Sequence, residues 1–195
     1  MKNSQEQLIK KLSSKQLKQQ IWLSQGLLLL LAITLMFIFF DSAAAFFNLL
    51  SWSWSQIVFY SLFSALIIVG IDIMTMYIFP KKWWDDGGVN EKIFKQGSYI
   101  EIIVLCFCIA LVEEWLFRGI VQTQFGLWIA SIIFALVHTR YLAKPFLFIA
   151  VILLSFWIGL VYQWTGNLTT VIALHFFVDL FLALLIRTRG VQHAR

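Results

Sequence analysis

Charged residues and proline are both scarce in this sequence. Asp, Glu, Lys and Arg make up 13% of the 195 residues, and there are only two prolines. Apolar residues reach 61%, whereas a soluble domain is about half apolar and about a quarter charged. The composition therefore excludes a water-soluble globular protein, and the 17% of aromatic residues exclude a disordered chain. The sequence predicts an integral membrane protein.

Cysteine is equally rare, and its placement argues against a metal site. Cys106 and Cys108 lie two apart in an apolar stretch, so on a helix they would point in different directions. They match no metal-binding motif and are interpreted as buried, unreactive thiols. A formal net charge of +5 could indicate a nucleic-acid partner. We expect no nucleic acid, because membrane topology explains the placement of the basic residues better.

The apolar residues fall into six segments, which predict an all-α, polytopic membrane protein with about six transmembrane helices. A helix needs about 20 apolar residues to cross a bilayer. The segments cover about 21–40, 57–79, 99–120, 126–139, 146–163 and 168–186. The fourth segment is the shortest and the weakest prediction of the six.

The same pattern divides the chain into three parts. We expect a polar cytoplasmic N-terminal segment at 1–20, a transmembrane helical domain at 21–186 and a short basic tail at 187–195. The motif-bearing core of the domain covers about 99–186. The first apolar run would also suit a secretory signal peptide, but its polar leader of about 25 residues is too long for one. We therefore expect an uncleaved span.

The positions of the basic residues predict the orientation. Of the 15 Lys and Arg residues, all except Arg118 fall in the N-terminal segment, in alternate loops or in the C-terminal tail. Cytoplasmic loops carry an excess of Lys and Arg. With six spans, this distribution predicts that both termini are cytoplasmic.

Ionisable residues inside the predicted spans are the candidates for function, since such groups are costly in lipid and need partners. Glu114 and Arg118 are four residues apart, so they share a helix face and can form an ion pair. Glu113 is rotated away from that pair and can present its carboxylate to a cavity. The alternative is a structural ion pair with a spare glutamate. Asp72 stands alone in the second segment, and no role is assigned to it.

Two histidines complete the set of candidates. His175 and Asp179 also share a helix face, whereas His138 stands alone near the end of an apolar helix. His138 could instead be an interface residue or form a helix–helix hydrogen bond, and His175 and Asp179 could simply satisfy each other. At ~1.5 Å per residue and ~30 Å of hydrocarbon, Glu113, His138 and His175 fall roughly 12–21 Å from the inner face. Side chains that lie at one depth on three different spans predict a functional site assembled from several helices.

These motifs resemble the signature of the CPBP family, also called Abi, which contains CAAX prenyl proteases and bacterial bacteriocin-processing relatives. They are Glu-Glu-x-x-x-Arg at 113–118, Phe-x-x-x-His at 134–138 and His-x-x-x-Asp at 175–179. The resemblance implies a bundle of membrane helices, in a bacterial plasma membrane, with glutamate-dependent endopeptidase activity and no cofactor. Glu114 and Arg118 match the supporting pair.

The resemblance also implies roles for the other four residues. Glu113 matches the glutamate that activates water, and His138 matches its histidine partner. His175 and Asp179 match positions that steady the oxyanion. The best-matching proteases have an asparagine where this chain has Asp179, and an ionised Asp accepts hydrogen bonds but cannot donate one.

Three other functions stay open at this point. Glu113, His138 and His175 could ligate Zn²⁺, since two His and a carboxylate leave a position for water. A non-catalytic immunity or peptide-binding protein could use the same cavity without turnover. A proton-coupled transporter is disfavoured, because the chain has no internal repeat. The expected partners are a peptide or protein substrate and the lipid bilayer, and no oligomeric state is predicted.

Overall fold

The computed structural model describes residues 12–188, and every regular element within that range is helical. Most of the predicted tail at 187–195 and the start of the predicted segment at 1–20 lie outside the described residues. The helices in chain order are α1 Ser14–Phe39, α2 Ala43–Phe47, α3 Trp54–Ile78, α4 Lys81–Trp84, α5 Val89–Phe94, α6 Tyr99–Glu114, α7 Thr123–Val137, α8 Pro145–Thr165 and α9 Leu168–Thr188.

Capping residues set where the long helices begin. Ser13 and Gln16 form a reciprocal capping box at the start of α1, in which each side chain accepts a hydrogen bond from the other residue's backbone N–H. The Ser98 hydroxyl accepts from the Glu101 N–H at 3.1 Å and starts α6. Gly166 ends α8 with φ at 60°, a left-handed conformation that glycine adopts easily. α9 therefore begins two residues later and packs against α8.

Four of the described helices, α1, α3, α8 and α9, are long and apolar enough to cross a membrane. A multi-pass membrane protein is thus confirmed, but the predicted number of six spans is wrong by this measure. The third predicted span is a continuous helix, but it carries too many charged side chains to count as a candidate membrane span. The fourth, α7, has 15 residues and kinks at Gly126, where φ is 84° and ψ is 170°. Even a straight helix of that length would cover only about 22 Å, against about 30 Å of hydrocarbon.

Basic residues gather at one end of the bundle. Lys18 bonds to Glu101 and to the carbonyl of Gln96, and Arg187 lies over the Tyr99 ring. Arg140 pairs with Asp86 at 3.7 Å. The segment between α3 and α6 therefore collects contacts from the start of α1, the end of α7 and the end of α9.

The core surrounds a π-helical segment at Trp115–Gln122, which joins α6 to α7 without a break. Here the backbone bonds span five residues instead of four, an arrangement often found at functional sites. Phe117, Ile120 and the residues facing them are fully buried. Gly119 allows the short helix α2 to come close, since a Cβ there would lie 2.9 Å from the ring of buried Phe46.

Candidate functional site

The glutamate and arginine predicted to pair do form an ion pair, and both are fully buried. Arg118 Nε lies 3.2 Å from Glu114 Oε2, on the same helical face. Arg118 Nη2 also donates to the carbonyl of Ser155 at 2.8 Å and to its hydroxyl at 2.9 Å. The guanidinium carbon lies 4.7 Å from the centre of the Phe134 ring. The π segment is thereby fixed to α8 and α7 through one cation.

His175 connects this pair to α9. Its Nδ1 donates to Glu114 Oε1 at 2.7 Å, and its Nε2 lies 3.6 Å from Asp179 Oδ2. The contact with Asp179 follows the shared helix face seen in the sequence. The contact with Glu114 joins residues 61 apart and could not be read from spacing. Each of the two ring nitrogens thus has a carboxylate next to it. This arrangement suits a protonated imidazole, which carries an N–H donor on both nitrogens.

Glu113 is buried but takes no part in the ion pair. Its carboxylate accepts a hydrogen bond at 3.0 Å from Nε2 of Gln25, on α1, and its side chain is 7% exposed. Gln25 was not recognised from the sequence. A signal did exist, because Gln25 is the only amide side chain in the first predicted span.

His138 lies where α7 ends and is half-buried. Its Nδ1 bonds to the carbonyl of Phe134 at 2.7 Å, and its ring lies 4.6 Å from the Phe134 ring. Within residues 12–188, its hydrogen bond thus goes to its own helix and not to Glu113. A bond to a carbonyl requires a proton on Nδ1, so Nε2 of the neutral ring is an acceptor.

Asp179 is the electrostatic neighbour shared by the candidate residues. It interacts electrostatically with His175, Glu113, His138 and Glu114. Side chains from α6, α7 and α9 therefore lie within electrostatic range of one carboxylate. Among residues 12–188, the only ion pair that involves Asp179 is the one with His175, and the predicted roles of the six residues stay predictions.

The zinc alternative receives no geometric support from the described part of the chain. Among residues 12–188, no three His, Cys, Asp or Glu side chains are placed to hold a metal ion. The two imidazoles of that alternative have different partners: His175 bonds to Glu114 and His138 bonds to a carbonyl.

Further polar contacts extend the link between the π segment and α8. Gln122 Nε2 donates to the carbonyl of Gly159 at 2.7 Å. The hydroxyls of Thr123 and Tyr162 are 2.9 Å apart. Because these contacts follow Arg118 and Ser155 along both helices, we interpret them as interhelical hydrogen bonds that pack the end of the π segment and the start of α7 against α8.

Chemically, the site combines a carboxylate that forms no ion pair within residues 12–188 and a histidine held between two acids. Glu113 can accept a proton, since its hydrogen-bond partner is a neutral amide. His175 can place positive charge close to a developing oxyanion. These are the elements of hydrolysis by an activated water molecule.

Comparison with known proteins agrees with this arrangement. A family model described as "Type II CAAX prenyl endopeptidase Rce1-like" matches residues 95–181. The uncharacterized protein YpbD of Bacillus subtilis (strain 168) is 47% identical over 137 residues, which cover 70% of this chain and 72% of YpbD. No solved structure matches the chain significantly. The resemblance noted in the sequence is confirmed, and the chain belongs to the Rce1-like family of CAAX proteases.

Proposed function

We propose that this protein is an intramembrane, metal-independent endopeptidase that uses a water molecule activated by Glu113. The observation that carries the proposal is the contrast between two adjacent glutamates. Glu114 is neutralised by Arg118 and bonded to His175, whereas Glu113 is buried, forms no ion pair within residues 12–188 and accepts its hydrogen bond from the neutral amide of Gln25. A buried carboxylate that is left without a counter-ion is available as a general base.

The reaction follows from these positions. Glu113 removes a proton from water, and the hydroxide oxygen attacks the carbonyl carbon of the scissile peptide bond. The carbonyl oxygen gains negative charge, which the positive charge of His175 stabilises. The C–N bond then breaks, and the proton held by Glu113 passes to the leaving amine. His138 is proposed to help in this transfer, and Asp179 to orient His175.

The family supports an extended peptide or protein segment near the membrane as the substrate. The proposed location is a bacterial plasma membrane with both termini in the cytoplasm. The basic residues collected at one end of the bundle support this orientation. The similarity to a Bacillus subtilis protein supports the bacterial setting. Reporter fusions at each terminus test the orientation.

The decisive experiment is the substitution Glu113→Gln, with Glu101→Gln as its matched control. Both glutamates lie on α6, but Glu101 is exposed and pairs with Lys18 at 2.9 Å. Purified protein in lipid nanodiscs is incubated with a peptide library, and mass spectrometry detects the products. We expect Glu113→Gln to lose at least about a hundredfold in cleavage rate, because it removes the general base, and Glu101→Gln to keep the wild-type rate.

Two outcomes would contradict the proposal. Cleavage by Glu113→Gln at the wild-type rate would remove Glu113 from the chemistry. Loss of activity with a metal chelator, restored by Zn²⁺, would show a metal-dependent reaction.

A non-catalytic immunity or peptide-binding protein is the second candidate, and Asp179 favours it. An ionised Asp beside His175 accepts hydrogen bonds but cannot donate one to an oxyanion. This candidate predicts that the Glu113→Gln variant keeps the protein's effect on the cell that produces it. It also predicts that Asp179→Asn does not increase peptide cleavage.

A further inference from the structure

Helix α1 places one amide side chain in the interior of the bundle. Gln25 is 7% exposed and lies on the face that includes buried Ala32 and Met36. Its neighbours Leu23 and Leu27 are 66% and 60% exposed. The orientation of α1 therefore directs the amide toward α6 and the apolar side chains outward.

The contact made by this amide is specific to the proposed base. Gln25 Nε2 donates to Glu113 Oε1 at 3.0 Å across 88 residues of sequence. A Lys or Arg at this position would neutralise the carboxylate, as Arg118 neutralises Glu114. A neutral donor holds the carboxylate without pairing its charge.

The amide of Gln25 is only partly satisfied. The other amide atom, Gln25 Oε1, is buried and has no hydrogen-bond partner among the described residues. A buried polar atom without a partner costs free energy, which offsets part of what the hydrogen bond to Glu113 contributes. The one side-chain hydrogen bond that Gln25 makes within the described residues therefore goes to the proposed base.

We propose that Gln25 is a positioning residue for the hydrolytic reaction, which fixes one oxygen of Glu113 so that the other faces the water to be activated. This inference rests on the proposed function. It assigns a part of the site to α1, outside the matched region at 95–181. Gln25 acts through Glu113 and does not touch the reacting atoms.

The test compares the same substitution at two buried glutamines. Gln122 is also 7% exposed, its Nε2 bonds to a backbone carbonyl, and its Oε1 likewise has no partner among the described residues. Gln25→Met and Gln122→Met thus remove equivalent groups from the interior. We expect Gln25→Met to lower kcat about ten- to a hundredfold with KM nearly unchanged, because a misplaced base slows the chemical step. Gln122→Met should keep kcat.

An infrared measurement tests the contact without relying on cleavage. With ¹³C-labelled glutamate, the difference between wild type and Glu113→Gln identifies the carboxylate band of Glu113. We expect that band to shift in Gln25→Met, which removes its hydrogen-bond donor, and to stay in place in Gln122→Met.

The outcomes separate this inference from the proposed function. If Glu113→Gln is inactive but Gln25→Met cleaves like the wild type, the inference is wrong and the proposed function stands. If Glu113→Gln remains active, the proposed function is wrong. An unchanged Glu113 band in Gln25→Met overturns the inference whatever the activity.

Discussion

The membrane helices before residue 80 and those after residue 98 differ in how many of their residues are buried inside the protein. In the most apolar part of α1, 17% of the residues are buried inside the protein, against 39% in α9. The early helices present apolar side chains outward, such as Phe37 and Phe59 at 67% and 66% exposure. The later helices enclose Glu114, Arg118 and His175. Apolar composition is enough to make a membrane helix, but buried polar contacts are needed to give it a fixed neighbour.

Among the variants that test this comparison, Arg118→Met is expected to lose the most stability, and Lys18→Met is its control. Arg118 is fully buried against Glu114, so its removal takes the arginine partner from a buried carboxylate that is then bonded to His175 alone among the described residues. Breaking such a pair costs about 3–5 kcal/mol. Lys18 pairs with the exposed Glu101, and a pair of that kind contributes about 0–1 kcal/mol. Thermal unfolding of purified protein in one detergent measures both, and equal losses would contradict the contrast.

A smaller loss is expected from Gly119→Ala in the π segment. The new methyl group would lie 2.9 Å from the Phe46 ring and 3.1 Å from Leu168. Phe46 cannot easily move, because it is fully buried and stacks on Trp115 at 5.0 Å. Overpacking of this kind costs about 1–3 kcal/mol. A melting temperature equal to that of the wild type would show that the contact with α2 can relax.

The smallest effect, and of opposite sign, is expected from Gly26→Ala in α1. Apart from its chain neighbours and the adjacent backbone of α1, no atom of residues 12–188 lies within 4 Å of the added methyl group. Glycine inside a helix costs about 0.5–1 kcal/mol relative to alanine, so the variant should be slightly more stable. Its melting temperature should rise while cleavage stays unchanged. A loss of stability as large as that of Gly119→Ala would contradict the expected difference in packing between the two regions.

Local spacing predicted the contacts made within one helix. Four-residue separations were sufficient to place Glu114 beside Arg118 and His175 beside Asp179. Such pairs depend only on helical geometry. The composition was also sufficient to predict an all-helical membrane protein, because few other structures satisfy every backbone group in lipid.

Contacts between helices could not be predicted in the same way. The bond from His175 to Glu114 depends on how α9 packs against α6, and no periodicity encodes it. Gln25 was missed because an amide carries no charge and was not counted among the ionisable residues. The number of spans was overestimated because the fourth segment was counted as a span although its apolar run was already short, and α7 has only 15 residues.

The contact between α1 and α6 also bears on the order of assembly. Synthesis proceeds from the N-terminus, so the amide of Gln25 emerges from the ribosome 88 residues ahead of the Glu113 carboxylate. The helix that carries Glu113 and Glu114 therefore meets a hydrogen-bond donor on a helix that was synthesised before it.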